Sequence, residues 1–172
     1  MATPGDVDPE ESLGRGIGFK ERELKEQKRL RKRLRQLHKD FMPQQGRNEV
    51  SVDRISIAPR DEIVTIASRR EKEREPSRTF GGWAFVTPEE AARNGRHVVA
   101  TSIEGNDYHA DITFPQKALG NQDEQKEHAW ALAAASRWCP LDYRFVYRTQ
   151  VGDTPGATPL ENLESGAGFL EA

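Results

Sequence analysis

The sequence predicts a small α+β fold, in which one long alanine-rich helix packs on a mostly antiparallel sheet and a basic helix stands apart near the N-terminus. Three stretches carry this prediction. Residues 97–114 alternate as a β-hairpin does, residues 121–139 combine a helix cap with an alanine-rich run, and residues 19–42 are cationic and lack Gly and Pro. The hairpin and the alanine-rich helix are expected to share one domain.

The composition of the chain divides it into segments. Only 35% of the 172 residues are hydrophobic and 31% are charged, which indicates one modest domain with polar extensions. Residues 1–18 and 150–172, rich in Gly, Pro and acids, are predicted to be disordered. A basic arm occupies residues 19–43 and the α+β domain occupies residues 53–149. Deleting residues 1–43 is therefore expected to leave a folded domain.

The basic arm is predicted to be an amphipathic helix that Pro43 ends. Its apolar side chains recur every three or four residues and form one stripe, made of Leu30, Leu34, Leu37 and Phe41. Its cations follow one another without an intervening acid: Lys28, Arg29, Arg31, Lys32, Arg33, Arg35 and Lys39. The stripe covers about two heptads, fewer than a coiled coil needs.

The segment after Asp53 has two interpretations. Arg54 to Ala58 indicates a short strand. The β-branched run from Ile63 to Ile66 favours another strand, whereas the alternating charges of residues 68–75 are typical of an exposed helix. We favour a helix from Arg60 to Arg74. Its core-facing residues would be Ile63, Ile66 and Ala67.

A strand and a short helix follow. Residues 81–86 read as a strand that two glycines open. Thr87 is a helix N-cap, Pro88 suits the first helical position, and Glu90 can complete a capping box. The pair Asn94-Gly95 ends this helix because both residues tolerate a positive φ.

The hairpin and the long helix come next. Residues 97–103 are rich in β-branched residues, Gly105-Asn106 makes a turn, and residues 108–114 alternate between apolar and polar. Asn121 is expected to cap the following helix, which would run to Cys139. Two tryptophans on one face of this helix, Trp130 and Trp138, are expected to fill gaps between the helix and the sheet.

A last strand is predicted at residues 142–149, where aromatic residues alternate with arginines. From residue 81 onward the order is then strand, helix, strand, strand, helix, strand, which is the order of a ferredoxin-like split βαβ unit. The first helix is short for a crossover between parallel strands. A plain antiparallel meander with both helices on one face is the alternative.

Carboxylates and imidazoles provide the candidates for chemistry. His109 and Asp111 would project from one side of a strand, and the helix that follows could bring His128 near them. These groups could act as acid and base or bind a metal. The alternative is that they are the solvated faces of a strand and a helix. Because no metal-binding spacing is present, we expect no metal and no cofactor.

The function predicted is that of a non-enzymatic interaction protein whose basic helix binds a partner protein or a second copy of the chain. An accessory nucleic-acid binder using the same helix is one alternative. A small metal-dependent or acid-base enzyme around His109, Asp111 and His128 is another. The single cysteine, Cys139, and the absence of a long apolar run or a secretory signal indicate a cytoplasmic protein with no membrane partner.

Overall fold

The computed structural model describes residues 7–20 and 37–141, which form an antiparallel sheet and three α-helices. The strands are β1 Leu13–Lys20, β2 Glu49–Arg54, β3 Arg78–Val86, β4 His97–Ala100, β5 His109–Thr113 and β6 Arg137–Pro140. The helices are α1 Arg60–Arg74, α2 Pro88–Ala92 and α3 Gln122–Ala135. The strand order in the six-stranded sheet is β4-β5-β2-β1-β3-β6, and all neighbours are antiparallel. The fold is therefore α+β.

Helices cover both faces of this sheet. On one face, α2 and α3 pack their buried apolar side chains, such as Ala91 and Leu132, on sheet residues that include Leu13 and Ile112. On the other face, α1 packs Ile63 and Ala67 against a second apolar cluster. That cluster also contains Ile55, Phe80, Trp83 and Cys139. The result is a three-layer domain with a separate core on each side of the sheet.

The N-terminal prediction of disorder is wrong for residues 13–18, because they belong to β1. This strand lies between β2 and β3, and it pairs with β3 from Leu13 to Lys20. Its alternate residues are glycines, which contribute to the prediction of disorder because they have no side chain to bury. A Cβ on Gly14 would lie 2.6 Å from the Trp83 ring, so glycine allows the second core to approach the strand closely.

The predicted helix of residues 19–43 is also wrong at both ends. Phe19 and Lys20 complete β1. At the other end only Leu37–Lys39 is helical, as a short 3-10 turn, and Phe41 is fully buried in the core under α3. Deleting residues 1–43 would therefore remove a strand from inside the sheet together with a core aromatic residue, so a folded remainder is no longer expected.

Local predictions in the middle of the chain agree with the structure. The helix α1 spans the predicted residues, and β4 and β5 form the predicted antiparallel hairpin. Thr87 and Glu90 form a reciprocal capping box, and the Asn121 side chain caps α3. The strand expected at residues 54–58 instead lies earlier, as β2.

The end of α3 differs from the prediction. The helix ends at Ala135, and the residues expected to complete it form β6. Trp138 therefore lies in a strand, where it packs edge-on against Phe19. Trp130 remains 53% exposed instead of filling a gap above the sheet.

The ferredoxin-like order is not confirmed, because β1 and β2 lie between β3 and β5 in the sheet. The strand predicted at residues 142–149, the tail 150–172 and most of the basic arm lie outside the described residues.

Candidate functional site

The predicted acid-base residues His109 and Asp111 lie on the sheet face that α1 partly covers. They alternate along β5 with Ala110 and Ile112, which pack in the opposite core under α3. The strand register places Ser51 beside Asp111 and Asp53 beside His109. The pairing of these strands therefore brings a small group of polar side chains together, as the sequence reading anticipated for His109 and Asp111.

The Asp111 carboxylate is the centre of this group. Its Oδ2 accepts a hydrogen bond from Thr101 Oγ1 at 2.8 Å, and its Oδ1 accepts one from Ser51 Oγ at 3.3 Å. The Nε2 of His109 lies 3.8 Å from Asp111 Oδ1. The Nδ1 of His109 lies 2.7 Å from the Thr101 carbonyl oxygen, which can only accept, so Nδ1 carries the proton of the neutral ring.

In a Ser-His arrangement for nucleophilic catalysis, the hydroxyl donates to an imidazole that takes its proton. Ser51 donates a hydrogen bond to the Asp111 carboxylate and not to an imidazole, so this serine lacks the hydroxyl–imidazole pair of a Ser-His arrangement. Nor does any group of three or more His, Cys, Asp or Glu side chains in the described part of the chain have a metal-binding arrangement. These contacts fasten the β4–β5 hairpin to β2.

The third candidate, His128, lies on the opposite side of the sheet from His109. It is buried on α3, with its ring 5.1 Å from that of Phe114 and its Nδ1 3.4 Å from Arg96 Nη1. Burial lowers the pKa of His128, and the positive charge of Arg96 lowers it further. The sequence could not show this separation, because it depends on which face α3 crosses.

A buried ionic network under α1 is the polar feature that the sequence reading missed. Asp53 is fully buried, and its carboxylate accepts hydrogen bonds from Arg70 and from Asn106. Glu71 is also buried, and it pairs with Arg78. Arg70 and Glu71 lie on α1 among solvent-facing charges such as Arg69 and Lys72, so the sequence shows only a charge run. The two ion pairs hold α1 on the sheet.

The C-terminal end of the basic arm is the second place where predicted contact residues pack on the domain. Six predicted cations and two stripe residues lie outside the described residues: Lys28, Arg29, Arg31, Lys32, Arg33, Arg35, Leu30 and Leu34. Lys39 is exposed, whereas Phe41 is fully buried. The last residue of the predicted stripe, Phe41, is therefore part of the domain's own core.

Two further contacts fasten the chain where it leaves the basic stretch. The His38 ring stacks on the indole of Trp130, with 3.9 Å between ring centroids and 11° between planes. The Arg15 guanidinium donates to the carbonyl oxygens of Asp40 at 2.8 Å and Ser51 at 2.6 Å. Burial, together with the nearby Arg70 and Arg74 charges, lowers the pKa of Arg15 to about 10. The stretch thus returns to the domain at a fixed point.

In the part of the chain that the structure describes, no helix combines the length and the apolar character needed to cross a bilayer. Comparison with known protein families, with curated proteins and with solved structures found no match to this chain.

Proposed function

We propose that this protein is a non-enzymatic interaction protein. The α+β domain is the scaffold, and the cationic stretch between β1 and β2 is the contact element, which binds a partner protein through an acidic surface. We place this binding in the cytoplasm, in keeping with a chain that has a single cysteine.

The observation that carries the proposal is the attachment of the cationic stretch to the domain. Seven cations lie between Lys28 and Lys39 with no acid among them. At the end of this run, His38 stacks on Trp130, and just after it Phe41 enters the core. Because the chain enters from β1 and returns at these contacts, a partner bound to the stretch would be held at a defined place on the domain.

The chemistry of the stretch favours a protein partner. Leu30 and Leu34 alternate with the cations, and apolar side chains contribute more to a protein interface than to contact with phosphates. Complementary charge would increase the association rate and the specificity of such an interface. The same residues could bind a second copy of the chain only if that copy presents an acidic surface to them.

The direct test is a pull-down from nuclease-treated extract with the full chain as bait. A variant with five cations of the stretch replaced by Gln is expected to capture no stoichiometric partner. The five are Lys32 and the four arginines Arg29, Arg31, Arg33 and Arg35. The matched control replaces only the four arginines, by Lys, which keeps the charge. A second control removes exposed cations elsewhere, at Lys72, Arg93 and Lys117. Equal capture by the Gln variant and the wild type would contradict the proposal.

A second candidate function is binding of single-stranded nucleic acid. The observation that favours it is the exposed indole of Trp130, which stacks on His38 at the end of the cationic run. Aromatic platforms beside cations bind unpaired bases with little sequence preference. Fluorescence anisotropy with a labelled oligonucleotide should then show an affinity that falls steeply with salt and that Trp130→Ala, but not Trp130→Phe, weakens. Absence of binding at low salt would exclude this function.

A further inference from the structure

The two edges of the described sheet differ in how they are protected against pairing. Both edge strands are short. On β6 the N–H of Leu141 donates to the Gly81 carbonyl oxygen of β3. Because backbone groups alternate in direction along a strand, the backbone polar groups of Trp138 and Pro140 point away from β3, toward the open edge. Pro140 offers no N–H there, and Arg137 places a charge on the same strand. Proline and charge are the usual devices that keep an edge strand from pairing with another chain.

The other edge, β4, has no such protection. Its residues are His97, Val98, Val99 and Ala100, with no proline, no lysine and no bulge in its pairing with β5. The Val99 side chain is 40% exposed. An edge strand without Lys, Arg, Asp or Glu and with an exposed apolar residue is a template for the addition of a further strand.

The direction of the backbone groups on this edge is fixed by the ladder. The N–H of Thr101 bonds to the carbonyl of His109, so Thr101, Val99 and His97 direct their backbone groups toward β5. Val98 and Ala100 therefore direct theirs outward, where β4 has no neighbouring strand among the described residues.

We propose that β4 pairs with β4 of a second copy, antiparallel, about a two-fold axis at Val99. In this register the outward groups of Val98 meet those of Ala100 in the other copy, and Ala100 meets Val98. All outward N–H and C=O groups of the two residues are then paired. The interface uses the same patch on both copies, as a closed dimer requires.

Two observations select this register and this occupant. A two-fold axis at Val98 would need the N–H of Arg96, which already donates to the Arg93 carbonyl. Within residues 7–20 and 37–141, no hydrogen bond uses the outward groups of Val98 and Ala100, which the axis at Val99 needs. This axis also places the exposed Val99 side chains against each other, and β4 has no Lys, Arg, Asp or Glu to repel the second copy. A shallow groove of about 410 Å³ adjoins β4 at His97 and Val98, between α2 and the segment that contains Val7 and Pro9.

The test begins with the full chain in sedimentation velocity over a range of concentrations, where the wild type should be a dimer. Val99→Lys and Val99→Glu should each weaken the dimer at least about tenfold, because each variant places like charges opposite each other. An equimolar mixture of the two should form a heterodimer, which only an axis at this residue allows. Ile103→Lys, an equal charge at an exposed residue outside the ladder, should leave the dimer unchanged.

Cross-linking provides a second measurement that does not depend on how the charged variants fold. Val99→Cys should form a disulfide-linked dimer under mild oxidation, because the paired residues would lie about 4.5 Å apart between Cα atoms. Ile103→Cys is the control, and the native Cys139 is buried. Three results would overturn the proposal. The wild type could be a monomer at every concentration, or the mixture of Val99→Lys and Val99→Glu could form no heterodimer. The third result is a dimer that is disrupted only by the Gln variant of residues 29–35. The last result would leave the proposed function intact.

Discussion

Asp53 on β2 and Arg70 on α1 form a two-pronged ion pair across the second core, with Oδ1 3.1 Å from Nη1 and Oδ2 2.8 Å from Nη2. The carboxylate is fully buried and also accepts from Asn106. One side chain therefore joins the sheet, the helix α1 and the loop between β4 and β5.

Removing the charge of Asp53 should destabilise the domain strongly. Asp53→Asn keeps the shape of the side chain but removes the charge that pairs with Arg70, and because Asp53 is buried while Arg70 is partly exposed, the loss should be about 2 kcal/mol or more. Urea unfolding followed by circular dichroism measures the change. Arg69→Gln is the matched control on the exposed side of α1, where the cost should stay below about 1 kcal/mol. Similar losses in both variants would contradict this account of the pair.

The capping box before α2 should have a separate, smaller effect. Thr87 Oγ1 accepts from the Glu90 N–H at 3.2 Å, and Glu90 Oε2 accepts from the Thr87 N–H at 2.8 Å. Thr87→Ala is expected to lower the free energy of unfolding by about 1 kcal/mol, and Thr87→Ser to preserve it. If the serine variant is as unstable as the alanine variant, the methyl group and not the cap explains the loss.

The glycines of β1 should resist alanine for different reasons. At Gly14 a Cβ would lie 2.6 Å from the rigid Trp83 ring and 2.8 Å from Ile55, whereas at Gly16 it would lie 2.7 Å from Arg70 Nη2, the atom that pairs with Asp53. Gly14→Ala should therefore cost about 1–3 kcal/mol through overpacking of the core. Gly16→Ala should act by displacing the Arg70 guanidinium, so its cost should shrink in an Arg70→Gln background, whereas the cost of Gly14→Ala should not. Thermal unfolding of the single and double variants measures both costs. Equal costs of Gly16→Ala with and without Arg70 would contradict this account.

The buried imidazole of His128 should make stability depend on pH. Burial and Arg96 lower its pKa in the folded state, with Lys117 acting in the same direction and Glu124 and Glu127 opposing. As pH falls, the unfolded chain therefore binds a proton at His128 before the folded chain does. The contribution of the neutral, buried ring to the free energy of unfolding is complete above the ordinary pKa of histidine and is lost as pH falls below it.

The measurement compares wild type and His128→Gln in urea unfolding between about pH 7.5 and about pH 5.5. The glutamine can still accept from Arg96 but does not titrate, so the decrease in stability toward low pH should be smaller in the variant. Parallel pH profiles for the two proteins would show that His128 does not titrate as described.

The parts of the fold that sequence reading predicted correctly are those set by neighbours in the chain. Thr87 with Glu90, and Asn121 before α3, mark helix starts because a cap needs only the residues of the first turn. The β4–β5 hairpin is equally local. The helix α1 followed from the charge run and three apolar residues.

The errors concern features that distant residues decide. The glycines of β1 look like a linker until Trp83 and α1 are placed against them. Trp130 was expected to be buried, but the phase of α3 turns it outward, where His38 stacks on it. Whether His109 and His128 meet depends on the face that α3 crosses, and no spacing along the chain encodes that.

The pairing of β1 with β3 imposes an order on synthesis. The strand from Leu13 to Lys20 leaves the ribosome early, but the partner that pairs with it along its whole length begins only at Arg78. β1 must therefore wait, unpaired along most of its length, until Arg78 to Val86 have been translated. The centre of this sheet cannot close before that point.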